Sequence, residues 1–120
     1  MASLNMSSND LSHLDMGALA ELREVMEDDF QILVETFIGD TVERMRAIRA
    51  TLDSNDPDAF SRGCHSVKGS ATNLGLPALS ELCRQGELIG KFKQMEKARE
   101  VFDSIEQEFE VVQSLLREQV

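Results

Sequence analysis

The sequence predicts an all-α protein, an up-down four-helix bundle with a short additional N-terminal helix. Apolar residues recur at steps of three and four over four long stretches, which is the spacing of a helix face packed on a core. The chain has no Trp or Tyr and only two Pro, and Leu, Ala, Glu and Met, which favour helix, are plentiful. No alternating strand pattern or internal repeat competes with this prediction. A chain of 120 residues is expected to form one domain with a single core.

The first half of the chain divides into a tail, a short helix and a long helix. Residues 1–12 are small and polar, and we interpret them as a flexible N-terminal tail before a domain at 13–120. The Asp15 carboxylate is expected to cap a short helix that closes one end of the bundle. A long second helix is predicted over 28–52. Its basic residues are interpreted as part of a solvated face: Arg44, Arg46 and Arg49.

Proline and glycine mark the ends of the next helices. Asp56 and Pro57 are the expected N-cap and first residue of the third helix, and Gly75 is expected to end it in the left-handed conformation. Pro77 begins the fourth helix, which ends near Gly90. The last helix is predicted from a continuous stripe with the spacing of a bundle seam: Met95, Ala98, Phe102, Ile105, Phe109, Val112 and Leu116.

The composition limits the possible partners and the compartment. A formal net charge of −10 argues against nucleic acid or an anionic membrane as a partner. No apolar run approaches the roughly 20 residues of a membrane span, and the N-terminus lacks the basic and apolar segments of a secretion signal. We therefore expect a cytoplasmic protein. Cys64 and Cys83 are too few for a disulfide framework and are interpreted as buried free thiols.

The third helix presents a reactive side chain opposite its apolar stripe. The stripe consists of Phe60, Cys64, Val67, Ala71 and Leu74. At about 100° per residue, His65 lies roughly 140° away from it. Gly69 and Thr72 share the side of His65, and Arg62 lies one turn before. Lys68, three residues after His65, can reach the same patch. The spacing therefore predicts that a histidine, a cation and a bare glycine are exposed together.

These residue types suit phosphoryl transfer. A neutral imidazole is a good nucleophile near neutral pH. The ammonium group of Lys68 can offset negative charge on an incoming phosphoryl group. Gly69 has no side chain, so the surface of a partner can approach the ring of His65 closely. On spacing alone, the alternative that His65 is an ordinary solvated residue stays open.

A motif on this helix resembles the signature of histidine-containing phosphotransfer (HPt) domains of bacterial-type two-component phosphorelays: His65-x-Val67-Lys68-Gly69-Ser70-Ala71-x-Asn73-Leu74-Gly75. The family pattern continues with leucines and a cysteine on the next helix, and Leu79, Leu82 and Cys83 fit it. The similarity covers about 14–118, so the resemblance implies that 13–120 is an HPt four-helix bundle.

The HPt-like region fills the chain, so the resemblance implies a stand-alone phosphocarrier. The sequence has no glycine-rich nucleotide loop and no length left for an ATP-binding domain, so we do not expect an enzyme with a kinase domain of its own. His65 would accept a phosphoryl group from a receiver-domain aspartate, in a response regulator or a hybrid sensor histidine kinase, and pass it to another receiver. Lys68 would stabilise the charge of the phosphoryl group, and Gly69 would give the receiver access. The receiver is expected to supply Mg²⁺, whereas this chain needs no cofactor or metal site of its own. We expect a monomer.

Five further residues are candidates for supporting the histidine or contacting the partner: Arg62, Thr72, Arg84, Glu87 and Lys91. The last three rest on the resemblance, which places the fourth helix beside the histidine helix. An ordinary charged surface explains them equally well. Glu87 and Lys91 are four residues apart and could form a weak surface pair.

Three other functions stay open at this point. The bundle could bind a receiver or kinase domain without being phosphorylated. It could also be the phosphoacceptor domain of a chemotaxis-type kinase. A metal or redox bundle would use Cys64, His65 and Cys83, although neighbouring residues such as Cys64 and His65 point to different sides of a helix.

Overall fold

Helices account for nearly all of the structure, a computed structural model that describes residues 11–120. No residue in this range forms a strand. The helices are α1 (Met16–Met26), α2 (Phe30–Asp53), α3 (Pro57–Leu74), α4 (Pro77–Lys91) and α5 (Ala98–Arg117). The predicted all-helical class with four long helices is confirmed. None of the helices described here combines the length and apolar character needed to cross a membrane.

The predicted tail lies mostly outside the described part of the chain, because its residues 1–10 are not among the described residues. Of the two that are, Ser12 is joined to the bundle: its carbonyl oxygen accepts a hydrogen bond from Ala78 N at 3.1 Å. The segment immediately before α1 therefore contacts the first turn of α4.

The four long helices pack in a closed ring. α2 packs on α3, α3 on α4, α4 on α5, and α5 packs again on α2, with the most extensive contact between α3 and α4. α1 contacts both α2 and α3. It is tied to the end of α3 by a hydrogen bond of 2.8 Å from Asp15 N to the Gly75 carbonyl oxygen.

The predicted apolar stripes meet in one core. Phe60, Cys64, Val67 and Ala71 on α3 are fully buried, as are Phe102, Ile105, Val112 and Leu116 on α5. The rings of Phe37 and Phe109 pack edge to face, with centroids 6.2 Å apart and an interplanar angle of 76°. Burying each large apolar side chain contributes about 1.5–3 kcal/mol, so the stripes fix which face of α3 points outward.

The ends of α3 follow the predicted signals. The Asp56 carboxylate accepts a hydrogen bond of 3.1 Å from Ala59 N, which satisfies a free backbone donor of the first turn. Gly75 has a φ of 79°, the left-handed conformation. This turn lets Leu76 N donate to the Ala71 carbonyl oxygen at 3.0 Å, which closes the end of the helix.

The starts of two helices differ from the prediction. Glu27–Asp29 and Met95–Lys97 each form a single 3-10 turn, and α2 and α5 begin only at the following residue. Each turn is associated with a residue of positive φ. Glu27, the first residue of its turn, has a φ of 52°, and Lys93, two residues before the other turn, has a φ of 56°. Apolar spacing cannot separate a 3-10 turn from the first turn of an α-helix, because both place residues three apart on one side.

The interpretation of the α2 arginines as a solvated face is wrong for Arg44, whereas Arg46 and Arg49 are exposed. Arg44 is half-buried and donates from Nη1 to the Ser66 carbonyl oxygen at 3.3 Å and to Ser70 Oγ at 2.9 Å. Arg49 pairs with Glu106 and lies over the ring of Phe102. The long side chains cross to neighbouring helices, which the pattern within a single helix does not reveal.

Two glycine substitutions test the role of the left-handed turn after α3. Gly75→Ala places a Cβ on a residue with positive φ, 3.1 Å from Ala18 Cβ, and should lower the free energy of unfolding by about 1–2 kcal/mol. Gly39→Ala on α2 adds a methyl group that meets no described residue within 4 Å, and it should raise the free energy of unfolding by up to about 1 kcal/mol. Urea unfolding followed by circular dichroism measures both changes. Equal effects of the two substitutions would contradict this assignment of Gly75.

Candidate functional site

A glutamate on α4 joins the histidine and the lysine of α3. Glu87 Oε2 lies 2.8 Å from His65 Nδ1, and Glu87 Oε1 lies 2.5 Å from Lys68 Nζ. The side chain of His65 is 66% exposed, whereas those of Lys68 and Glu87 are 27% and 23% exposed. One carboxylate therefore holds an exposed imidazole and a largely covered ammonium group side by side.

The packing of α3 explains why these groups point outward together. Cys64 and Val67, the neighbours of His65 and Lys68 in sequence, are fully buried in the apolar stripe. Helical spacing then directs His65 and Lys68 towards the edge of α3 that borders α4. Glu87, on α4, meets both side chains at this edge.

The carboxyl group of Glu87 is held in its ionised form. The hydrogen bond from Lys68 lowers the pKa of Glu87, partial burial opposes this shift, and the contact with His65 lowers the pKa further. An ionised carboxylate can only accept hydrogen bonds, so Nδ1 of His65 must carry the proton of that contact. In a neutral imidazole this leaves the lone pair on Nε2, the other ring nitrogen.

The space beside the imidazole is open at Gly69. Gly69 is exposed, and a Cβ added there would meet no atom of residues 11–120 within 4 Å. Thr72 lies one turn after Lys68. Its Oγ1 donates to the Lys68 carbonyl oxygen at 2.9 Å and lies 2.7 Å from Ser80 Oγ on α4. The residues His65, Lys68, Gly69, Thr72 and Glu87 thus share one surface.

The three remaining predicted residues, Arg62, Arg84 and Lys91, do not take part in this hydrogen-bonded arrangement. Arg84 is held by Glu81 through hydrogen bonds of 2.8 and 2.7 Å. Arg62 and Lys91 are exposed, and within residues 11–120 neither makes a hydrogen bond or ion pair to the histidine or the glutamate. The suggested pair between Glu87 and Lys91 does not form. Both carboxylate oxygens of Glu87 are engaged by α3 instead.

The sequence interpretation did not assign a role to two serines near the site. Ser61 Oγ donates to the Glu87 carbonyl oxygen at 2.9 Å, and Ser70 Oγ accepts from Arg44 on the opposite side of α3. The sequence offered one indication of a role for Ser61, which is its position one turn before His65 on the same side of the helix. Nothing in the sequence indicated which atom of α4 it would meet.

The two cysteines lie inside the bundle. Cys64 and Cys83 are free and fully buried. Burial raises the pKa of the Cys64 thiol to about 12 and also raises that of Cys83. The imidazole of His65 is exposed on the other side of α3. The three side chains therefore do not converge on one site, as the metal or redox bundle considered above would require. Among residues 11–120 no cluster of His, Cys, Asp and Glu has an arrangement that could hold a metal ion.

Comparison with known proteins shows the family of the chain. The family model described as the Hpt domain matches residues 32–115. The chain belongs to the Hpt family. The crystal structure of histidine-containing phosphotransfer protein B (HptB) from Pseudomonas aeruginosa PAO1 is similar to this Hpt chain, with a TM-score of 0.87 and 34% sequence identity over 89% of this chain and 93% of that chain. No curated protein sequence matches significantly.

Membership of the Hpt family confirms the resemblance inferred from the motif on α3. Hpt domains are phosphocarriers that interact with receiver domains, and the chain is a histidine phosphotransfer protein of two-component phosphorelays. The matched region runs from α2 to α5 and therefore contains the whole of α3 and α4, where His65, Lys68 and Glu87 meet.

Removal of the lysine should change the titration of the glutamate. Lys68→Met removes the main cause of the lowered pKa of Glu87, so the pKa should rise towards that of an ordinary glutamate. Because the folded-state pKa lies below the unfolded one, the stabilisation is complete above the unfolded value and is lost as the pH falls through the folded value. Carboxyl ¹³C NMR titration measures the midpoint.

A matched control is Arg46→Met, which removes the cation of a surface pair with Glu43. It should leave the midpoint of Glu87 unchanged. If Lys68→Met also left it unchanged, the bond from Lys68 would not be the cause of the lowered pKa.

Proposed function

We propose that His65 is the phosphoacceptor and that it carries a phosphoryl group from the aspartate of one receiver domain to that of another. The observation that carries this proposal is the contact of His65 Nδ1 with the ionised carboxylate of Glu87, which leaves Nε2 as the exposed nucleophile. The ammonium group of Lys68 lies on the same carboxylate, close to the ring.

The transfer is an in-line displacement at phosphorus. The Nε2 lone pair of His65 attacks the phosphorus of the receiver's aspartyl phosphate, the N–P bond forms, and the P–O bond to the aspartate breaks and releases its carboxylate. The ring becomes cationic, and the negative charge of Glu87 stabilises it through Nδ1–H. The same steps in reverse pass the group to a second receiver, so positioning and charge carry most of the catalysis.

Lys68 supplies the positive charge on this side of the transferring group. Its Nζ is held by Glu87, only partly exposed, and can turn towards an oxygen of the phosphoryl group. We expect the receiver to supply Mg²⁺. The only carboxylate beside His65 in the described arrangement is that of Glu87, and both of its oxygens are engaged by α3.

Receiver docking is supported by the surface on the other side of Gly69. A cavity of about 330 Å³ opens between α1, α2 and α3, with Leu33 and Phe37 of α2 and Ser70 and Asn73 of α3 in its walls. We propose that the receiver covers Gly69 and these apolar edges. Within this proposal α1 is the additional helix that closes one end of the bundle, and its Leu22 and Met26 complete the cavity.

The same proposal includes the oligomeric state, the partners and the compartment of the protein. The protein acts as a monomeric phosphocarrier without kinase activity, and its receivers belong to response regulators or hybrid sensor histidine kinases. Two free buried thiols agree with a reducing compartment such as the cytoplasm. Arg62 and Lys91 are exposed cations that could contact an acidic receiver surface, whereas Arg84 is neutralised by Glu81.

Phosphorylation of His65 is tested with receiver domains charged by a small acyl phosphate. The native chain should acquire an acid-labile, alkali-stable label, and His65→Gln should acquire none. Lys68→Met should lower the transfer rate by a factor on the order of 10², because one charged group that stabilises the transition state is lost. Label is measured by gel autoradiography after rapid mixing.

The Arg46→Met variant serves as the control for loss of a surface cation and should transfer at the native rate. Binding of a receiver without any label on the native chain would support the non-phosphorylated interaction module in place of this proposal.

Substitution of Gly69 separates stability from access of the receiver. Gly69→Ala should raise the free energy of unfolding by up to about 1 kcal/mol, because the added methyl meets no atom among the described residues and alanine favours helix. Gly69→Gln should slow transfer by raising the receiver concentration needed for half-maximal rate. Initial rates over a range of receiver concentrations measure this. A native concentration dependence in Gly69→Gln would show that the receiver does not cover this position.

A further inference from the structure

We propose that Ser61, Gly86 and Gly90 are positioning residues that set the Glu87 carboxylate against His65 and Lys68. The inference rests on the proposed function, because it concerns how the nucleophile of that reaction is oriented. None of the three residues contacts the imidazole. Each acts through Glu87, whose place depends on how closely α4 approaches α3.

The first observation is the absence of space at Gly86. A Cβ at this buried position would lie 2.7 Å from Cys64 Sγ and 3.4 Å from Cys64 Cβ. Real Cβ contacts are longer than the first of these distances, so any larger residue would push α4 away from α3. Gly86 immediately precedes Glu87, and Cys64 immediately precedes His65. The close approach therefore lies directly beneath the contact of the two functional side chains.

The second observation is a still closer approach one turn later. A Cβ at Gly90 would lie 2.6 Å from the Pro57 carbonyl oxygen, 2.8 Å from Ser61 N and 2.9 Å from Ser61 Cβ. The first two of these atoms belong to the backbone of α3 and cannot move aside as the end of a side chain can. Gly86 and Gly90 are four residues apart and face α3 together. They let the backbone of α4 rest on α3 on both sides of Glu87.

The third observation is a hydrogen bond to the backbone of Glu87 itself. Ser61 Oγ is half-buried and donates to the Glu87 carbonyl oxygen at 2.9 Å. A backbone carbonyl has two lone pairs, so it can accept this bond in addition to one within its own helix. Glu87 is thus fixed to α3 at its backbone by Ser61 and at its side chain by His65 and Lys68.

These restraints matter because the two carboxylate contacts have little tolerance. The distances of 2.8 Å to His65 Nδ1 and 2.5 Å to Lys68 Nζ leave the hydrogen-bonding range when the helices separate by about 1 Å. Without the bond at Nδ1, the imidazole can rotate and the proton can occupy either nitrogen. Part of the population would then carry the proton on Nε2, which removes the nucleophilic lone pair.

The test compares Ser61→Ala and Gly86→Ala with the native chain and with Gly39→Ala, a helical control on the outward face of α2 with nothing within 4 Å. Long-range ¹H–¹⁵N spectra of the ring report the tautomer of His65, and initial rates report transfer from a phosphorylated receiver. Both variants should shift part of the population to the Nε2–H form and lower the maximal rate about tenfold or more, with the receiver KM unchanged.

A second substitution distinguishes positioning from general damage. Cys64→Ala removes the sulfur that an alanine at position 86 would meet, so Gly86→Ala combined with Cys64→Ala should recover the Nδ1–H tautomer and most of the rate relative to Cys64→Ala alone. Ser61→Thr keeps the hydroxyl donor and should retain both properties. Urea unfolding shows that each variant is folded, and if Gly86→Ala is not, Ser61→Ala decides alone.

The outcomes for the two proposals are separable. A native tautomer or a native maximal rate in the folded variants would overturn the positioning role while leaving His65 as the phosphoacceptor. No label on the native chain would overturn the proposed function, and the tautomer spectra would still decide whether Ser61 and Gly86 position Glu87.

Discussion

The close packing of α4 on α3 is the constraint on which the site depends. The apolar stripe of α3 is fully buried at Cys64 and Val67, which fixes the rotation of the helix and directs His65 outward. The contact at Gly86 then fixes the distance to α4, and with it the reach of Glu87. A rigid core thus determines the orientation of an exposed imidazole, because its hydrogen-bond partner stands on a neighbouring helix and not on a mobile loop.

The charges of the site balance in a way that suits a carrier. The proposed transfer requires a neutral imidazole, and in that state the imidazole, the ammonium of Lys68 and the carboxylate of Glu87 sum to zero charge. In the proposed transfer the ring gains a positive charge when Nε2 forms its bond to phosphorus, so the site becomes attractive to the phosphoryl group as that bond forms. The carboxylate limits this attraction at the same time, because it lies close to the incoming negative charge. These opposing terms agree with the proposal that the site both accepts and releases the group, within a chain whose net charge is −10.

The sequence predicted what depends on a single helix and missed what depends on two. Periodicity placed His65, Lys68 and Gly69 on one exposed side, and the turn signal at Gly75 was read correctly, because both are local properties. Glu87 was a candidate only through the family resemblance, and its expected partner, Lys91, lies on its own helix. The actual partners lie on α3, at a height set by the packing of α4. Arg44 was misread for the same reason, since its hydrogen bonds reach across to α3.

The glycines of α3 and α4 indicate which constraints come from within the chain. Each costs about 1 kcal/mol in a helix relative to alanine. At Gly63, Gly86 and Gly90 an added Cβ would lie 2.6–2.7 Å from a neighbouring helix, so close packing offsets that cost. At Gly69 the described part of the chain offers no such compensation, because the added atom would meet none of its atoms within 4 Å. A glycine at this place, one turn from His65, agrees with the proposal that a receiver surface approaches here from outside the chain.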